Sequence, residues 1–463
     1  MDSAKSSVST PDTTKVTVEF IRTLSFDEIP DEAVREATRH LLDTLGVAIA
    51  GTSTRMSEIV RDHAVEVFGA NTHASRILFD GRSASAVGAA MAGAATLDSL
   101  DAHDGHVLTK GHAGAAVVPA VLAFIDRSAT KVSGAELLTR LVIGYEIATR
   151  AGIALHRTAT DYHTSGAWNA LGCAAVGARS LRLDANSTSQ ALGIAEYHGP
   201  RSEMMRCIDA PTMVKDGSMW GAASGVSAAL LAAASYTGAP ATTIADPDVT
   251  DIWSDLGQRW HMTEQYLKPQ PVCRWAQPAV RAVIDVMESN GLTEQRVRGV
   301  KVSTFAAALR LVTRDPANTE EAQYSLPFAV ANAVVHGDVG VDSLLEPGDP
   351  RGPGSDLRER VRRWMESVEF VEVDDFTSRF PAERLAVATL ELDDGSSVRS
   401  APTTARGGKE SPLTDDEVFE KFRSFARREI RPRHIDDIVR AVVDLRQGAD
   451  TDDLCDAVLR ETA

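Results

Sequence analysis

Cysteine is scarce in this 463-residue chain: Cys173, Cys207, Cys273 and Cys455 are the four, widely separated and without a Cys-x-x-Cys pair. That pattern argues against a disulfide framework or a structural zinc site, and it predicts four buried thiols. Cations are also in deficit, 48 Lys plus Arg against 65 Asp plus Glu, so the formal net charge is −17. Nucleic acid and anionic membrane surfaces need a basic footprint and are disfavoured as principal partners. Long apolar runs are missing as well. The stretch GVSAALLAAASYTGAP from Gly225 falls short of the roughly 20 residues that cross a bilayer. The first residues, MDSAKSSVSTPDTT, are small and polar, and no apolar segment follows Lys5 as a secretory signal requires. The expected compartment is the cytoplasm.

What is present is the composition of a globular chain, 43% hydrophobic and 24% charged, long enough for more than one core. From Val16 to Tyr236 the pattern is helical. Pro30-Asp31-Glu32 opens a helix in which Val34, Ala37, Leu41, Leu42, Leu45 and Val47 follow at helical spacing. Ala/Leu/Val-rich segments at 84–98, 115–126, 133–153, 166–180, 188–197 and 218–236 predict further helices, with no strand-like alternation between them. Gly144, Gly172, Gly177 and Gly193 fall inside these segments. Each costs up to about 1 kcal/mol against Ala, which points to close helix–helix approach.

The composition changes near 265–300. Alternation at 298–304, 368–373 and 385–392 predicts strands, the last followed by an Asp394-Gly395 turn, with helices at 322–336 and 355–367 between them. After the Pro/Thr/Gly-rich stretch 401–412, helices return at 414–428, 434–446 and 451–461 and are expected to rejoin the N-terminal core. The expected architecture is mainly α with an α+β part: a discontinuous helical domain, 15–266 and 405–463, and an α+β domain, 267–404.

Three polar clusters could carry chemistry. The first closes one apolar helix and precedes the next, with Asp98, Asp101, His103, Asp104, His106 and His112 in fifteen residues. Carboxylates and imidazoles at helix ends suit acid–base work or metal binding; a solvated loop with capping aspartates fits the same pattern. The His103-Asp104 doublet is similar to that of metal-dependent phosphohydrolases, which leaves a metal-dependent hydrolase as an alternative. The second cluster is Asp161-Tyr162-His163-Thr164-Ser165-Gly166, followed by Arg201 and by Lys215 just before an apolar helix. An ammonium there adds to the positive end of the helix dipole, poor for the helix but suited to a carboxylate. The third, residues 265–281, holds Lys268, Arg274 and Arg281 and no acid. In so acidic a chain this local reversal points to an anionic ligand.

Taken in order, these segments resemble the MmgE/PrpD family over residues 16–447. The resemblance rests on Leu42-Asp43-Thr44-Leu45-Gly46, the run from Asp101 to His112 and on to Pro119-Ala120, Gly144-Tyr145-Glu146, His163-Thr164 with Gly166, Ala191-Leu192-Gly193, Lys215-Asp216-Gly217, Lys268-Pro269 with Cys273-Arg274-Trp275, and Ala322-Gln323-Tyr324-Ser325. It implies a large helical domain with a smaller α+β lid, an active site between them, and a homodimer working without metal or organic cofactor on a small polycarboxylate. It places the catalytic roles on Asp101, His112, His163 and Lys215. Substrate contacts fall on His103, Arg201, Lys268, Arg274, Gln277 and Tyr324. Two positions depart from the family pattern. Gln277 stands where a histidine is frequent, and Phe328 where a tyrosine is frequent, so the proton donor is Tyr324 or another group.

The implied reaction is a dehydration of a citrate-, methylcitrate- or aconitate-like acid, with epimerisation or decarboxylation of a related acid as alternatives. All three build negative charge beside a carboxylate and therefore need cations, a base and an acid. Imidazoles titrate near neutral pH and are the natural proton carriers. Lys215, Lys268 and Arg274 would clamp carboxylates.

Overall fold

The computed structural model describes residues 12–70, 72–345, 352 and 354–461. Six helices, Ala86–Asp98, Gly114–Asp126, Gly134–Thr158, Gly166–Ser180, Ala185–His198 and Ser218–Ala233, form a large helical domain with Asp31–Gly51. Side-chain caps fix several starts: Ser85 accepts from the Gly88 amide, Ser133 from Glu136 and Asp184 from Ser187. The helix Gly166–Ser180 lies at the centre, against Gly114–Asp126, Gly134–Thr158, Ala185–His198 and Ser218–Ala233. Small residues make this possible. A Cβ on Gly172 would stand 2.6 Å from the Gly144 carbonyl oxygen and 2.8 Å from the Ala148 Cβ, so the backbones touch where the two glycines cross.

The helical pattern of the first half conceals one exception. Strands β1 (Ala74–Arg76) and β2 (Ser83–Ser85) pair antiparallel, Ser75 opposite Ala84. Three residues are too few for alternation to register, and the connection turns through positive φ at Phe79 and Gly81.

The α+β part carries a four-stranded sheet of β3 (Val297–Thr304), β4 (Glu369–Glu372), β5 (Ala386–Leu392) and β6 (Ser397–Arg399) in the order β4-β3-β5-β6. Strand β4 runs parallel to β3 with Phe370 opposite Val302, while β5 is antiparallel to both β3 and β6. The Asp394-Gly395 turn, with Gly395 at φ +82°, leads into β6, a strand of three residues that alternation does not reveal. Helix Gln277–Ser289 lies on β5 and against Leu326–His336. The helix expected over 322–336 is instead two, Thr319–Gln323 and Leu326–His336. Ser325 caps the second by accepting from the Phe328 amide at 3.0 Å, and Pro327 sits in its first turn, where its missing N–H has no partner to lose. The break leaves Gln323 and Tyr324 at a bend.

Helix Asp415–Ala426 lies against Asp31–Gly51. Phe422 covers Gly46, where a Cβ would come within 2.9 Å of the ring. Lys421 forms an ion pair with Asp43 at 2.6 Å and donates to the Ala102 carbonyl at 2.8 Å. The four cysteines are buried free thiols, as the scattered spacing predicts. Among the described residues no helix is long and apolar enough to cross a membrane.

Phe422 is almost fully buried. Replacing it by alanine is expected to lower stability by about 3–5 kcal/mol in urea unfolding. A loss below about 1 kcal/mol would show that this helix adds little to the core.

Candidate active site

Residues 99–113 link helix Ala86–Asp98 to helix Gly114–Asp126 and bring the first polar cluster into the interior. Gln323, at the bend in the α+β part, holds this loop. Its Oε1 accepts from the Asp101 amide at 2.6 Å and from Lys215 Nζ at 2.8 Å, and its Nε2 donates to the Ser99 and Thr319 carbonyls, each at 3.0 Å. Lys268 Nζ donates to the Asp101 carboxylate and lies 3.3 Å from the Asp101 carbonyl. His112 Nδ1–H donates to the Asp104 carbonyl, which leaves the Nε2 lone pair 3.8 Å from Asp101 Oδ1. The His112 backbone is held in turn, its amide donating to Ser165 Oγ at 2.9 Å and its carbonyl accepting from Asn169 at 2.9 Å.

His103 meets the His112 ring edge-on, centroids 4.5 Å apart, and its Nε2 lies 3.4 Å from Asp98 Oδ1. Lys215 lies 4.9 Å above the Tyr324 ring. Its backbone adopts φ +45°, followed by Gly217 at +70°. Such a conformation costs a non-glycine residue roughly 1–2 kcal/mol; here it accompanies an ammonium placed just before helix Ser218–Ala233. The five central side chains are nearly sealed from solvent: His103 and Lys268 are 0% exposed, Lys215 2%, Asp101 3% and His112 7%.

Burial raises the stakes of every charge here. It would raise the Asp101 pKa, but Lys268, His112 and Lys215 together hold this carboxyl well below its usual range. Burial likewise opposes the Lys268 ammonium, yet Asp101 outweighs it and the pKa of Lys268 rises. His112 is pushed down to about 3, first by burial and then by the neighbouring Lys268 and His103. It is therefore a neutral imidazole with an acceptor nitrogen. Asp216 is pushed up to about 8 by burial and by Asp98, and it accepts from the Ser165 amide at 3.0 Å and from the Ser165 hydroxyl. Burial also lifts the Tyr324 phenol well above its ordinary value.

The other expected residues lie at varied distances from this centre. Arg274 is buried, stacked 4.3 Å from the Tyr266 ring centroid, and donates to Gln277 Oε1 at 2.8 Å, to the Arg406 carbonyl at 2.6 Å and to the Ala405 carbonyl at 3.3 Å. Its guanidinium thus ties 274–277 to the returning chain. Gln277 donates to the Gln270 and Val272 carbonyls. His163 is half-buried, with Nδ1 on the Asp161 carbonyl at 2.8 Å and its amide on His156 Nε2 at 3.2 Å. Among the described residues no hydrogen bond, ion pair or ring contact joins it to Asp101, His112, Lys215 or Lys268. Arg201 is exposed, 3.8 Å from Glu196.

The His103-Asp104 doublet is split. Asp104 accepts from Tyr145, from the Gly114 amide at 3.2 Å, and lies 3.3 Å from His40 Nδ1. The ligating atoms of Asp101, His103 and His112 lie within 4.8 Å of one another, close enough for a divalent ion, but the Lys268 ammonium already sits on the Asp101 carboxylate. His106, His261 and Glu264 form a second such group. There Arg259 donates to both Glu264 oxygens, and the Leu108 amide donates to His106 Nδ1, which makes the His106 Nε2 a donor rather than a ligand.

Sequence reasoning gave no role to Gln323, Asp216 or Tyr266. Gln323 and Asp216 lie within the motifs of the family resemblance. Tyr266 pairs with Gly105, the two exchanging amide–carbonyl bonds at 3.0 and 2.7 Å. A Cβ at Gly105 would meet His112 Nδ1 at 2.8 Å, which requires glycine there.

Comparison with known proteins gives two matches to family models: the MmgE/PrpD N-terminal domain over residues 16–254 and the MmgE/PrpD C-terminal domain over 271–445. The cis-aconitate decarboxylase-like protein oryM of Aspergillus oryzae is 22% identical, over 94% of this chain and 95% of its own length. The cis-aconitate decarboxylases of Homo sapiens and Mus musculus are 22% and 23% identical, over 93% and 88% of this chain and 91% and 85% of their own lengths.

The burial of His112 has a measurable consequence. Its pKa of about 3 when folded lies below the ordinary 6.5, so between these values the unfolded chain binds a proton that the folded chain does not. The stability from this group is complete above pH 6.5 and is lost as pH falls toward 3. Urea midpoints from pH 7 to pH 4 should fall less for His112→Asn than for the wild type; equal slopes would show that this imidazole is not held neutral.

Proposed function

The chain belongs to the MmgE/PrpD family, and from that premise we propose that this lyase dehydrates a small polycarboxylate by removing a proton next to a carboxylate. One observation carries the reading: a neutral imidazole, His112, with its Nε2 free, lies in a sealed site with two ammonium groups, Lys268 and Lys215.

Loss of a proton from carbon next to a carboxylate builds an enolate-like dianion. Cations fixed in a water-excluded site stabilise that charge without reorganising. Lys215 and Lys268 supply them. His112 Nε2 takes the proton, and the Asp104 carbonyl on Nδ1–H fixes the tautomer that leaves Nε2 basic. Asp101, 3.8 Å from Nε2, stabilises the imidazolium as it forms. Tyr324, kept protonated by burial and adjacent to Lys215, gives its proton to the departing hydroxide. The C–H and C–O bonds break, a carbon–carbon double bond forms, and water leaves. The proton on His112 is then returned, through solvent, to the tyrosinate.

The names of the relatives favour a second reading, decarboxylation, in which the same cations hold the enolate left by CO2. That route needs a donor to carbon. With its pKa at about 3, His112 is unprotonated at neutral pH and holds no proton to give to carbon at the start of the cycle, which favours loss of water.

The two readings separate by NMR in deuterated water with citrate, 2-methylcitrate and cis-aconitate as probes. Dehydration produces a vinylic product or olefinic acid from the hydroxy acids. Folded His112→Asn and Lys268→Ala variants should lose at least about 100-fold in kcat/KM. Itaconate and CO2 from cis-aconitate, with the hydroxy acids untouched, would replace dehydration by decarboxylation. Full activity of either variant would remove that residue from the mechanism.

A further inference from the structure

Among the described residues four arginines are buried: Arg140, Arg150, Arg274 and Arg384. Three have partners. Arg140 pairs with Glu136, Arg150 with Glu146 and Asp255, and Arg274 donates to carbonyls and Gln277. Arg384 is the exception. It is 8% exposed, its Nε has no hydrogen-bond partner, and among the described residues no hydrogen bond or ion pair satisfies its guanidinium. Its Nε is sealed from water with neither a hydrogen bond nor a counter-charge, an unfavourable burial for part of a guanidinium, and an anionic ligand on the fork offsets it.

Its surroundings locate that ligand. The guanidinium carbon lies 5.9 Å from the Phe380 ring centroid, and Phe380 stacks on Phe305 at 5.1 Å and meets Trp275 edge-on at 5.7 Å. Trp275 adjoins Arg274, which covers Tyr266, the residue bonded to Gly105 in the catalytic loop. The charge of Arg384 acts on Tyr162 and Lys110 in the helical domain as well as on Tyr266, Cys273 and Arg274, so it lies near residues of both parts of the chain. Lys110 is half-buried, at φ +51° and with Nζ 4.2 Å from the Tyr162 ring centroid. No carboxylate among the described residues pairs with it.

We propose that Arg384 and Lys110 form a second anion subsite, spanning both parts of the chain, that takes the carboxylate of the substrate remote from the reacting carbon and so selects tricarboxylates over dicarboxylates. This rests on the polycarboxylate reading above. Arg384 reads the planar carboxylate with its fork, and Lys110 adds a point charge from the helical domain.

The test compares the full-length wild type with Arg384→Gln and Arg384→Lys by calorimetric binding of citrate, succinate and inorganic sulfate, and by thermal unfolding without ligand. The expected result is citrate binding weakened at least about tenfold in Arg384→Gln, partly restored in Arg384→Lys, and succinate binding changed less than about threefold. The unliganded Arg384→Gln protein should melt at or above the wild-type temperature, because an unpaired charge has gone. Unchanged citrate affinity in Arg384→Gln, or a wild type that binds neither citrate nor sulfate, overturns the subsite. So does a melting temperature lowered by more than about 5 °C and recovered in Arg384→Lys, which would mark a structural arginine. Arg384-dependent citrate binding by a wild type that turns over no hydroxy acid or cis-aconitate would leave the subsite standing and remove the proposed reaction. Turnover unaffected in Arg384→Gln would do the reverse.

Discussion

The ion pair between Asp101 and Lys268, closed off from water, is the contact on which the site depends. The two residues are 167 positions apart, one in a loop between helices of the helical domain and one where the chain leaves it. Taking either away would strand the other charge in the interior, a loss of about 3–5 kcal/mol. The pair also sets the chemistry around it. Lys268 helps to keep His112 neutral and holds Asp101 ionised, and by occupying the carboxylate it opposes a divalent cation at the cluster of Asp101, His103 and His112.

Gln323 plays the neutral counterpart. A single side-chain amide bonds the Asp101 amide, the Lys215 ammonium and the Ser99 carbonyl, so the α+β part holds the 99–113 loop without adding charge. That matters where two ammonium groups and two imidazoles crowd one volume. A carboxylate at 323 would pair with Lys215, and both ammonium groups of the proposed reaction, Lys268 being on Asp101 already, would then carry a counter-charge. The overall charge of −17 is therefore no guide to the site, where Lys215 and Lys268 are set among the carboxylates of Asp98 and Asp101.

Much of the helical domain is legible in the chain, because helix periodicity and small-residue patterning are local and repeat over many turns. The segments around 86–98, 114–126, 166–180 and 218–233 are examples. The sheet is legible where strands run to seven or eight residues, as in β3 and β5, and illegible where three residues suffice, as in β1, β2 and β6. The bend at Tyr324-Ser325 is hidden for another reason: Ala322, Leu326, Ala329 and Val330 keep helical spacing across it, and only Ser325 and Pro327 mark a new start.

The family resemblance carried by the order of these segments singled out Asp101, His112, Lys215 and Lys268, since each polar cluster taken alone also fits capping or solvated groups beside apolar helices. Which of them touch was decided by tertiary structure alone. It joined Lys268 to Asp101, left His163 beside His156, bound Arg274 to backbone carbonyls, and buried Arg384 without a partner. The physical reason is range. Periodicity reports the face a residue shares with neighbours three or four positions away, whereas a buried charge finds its counter-charge across loops whose closure leaves no trace in local pattern.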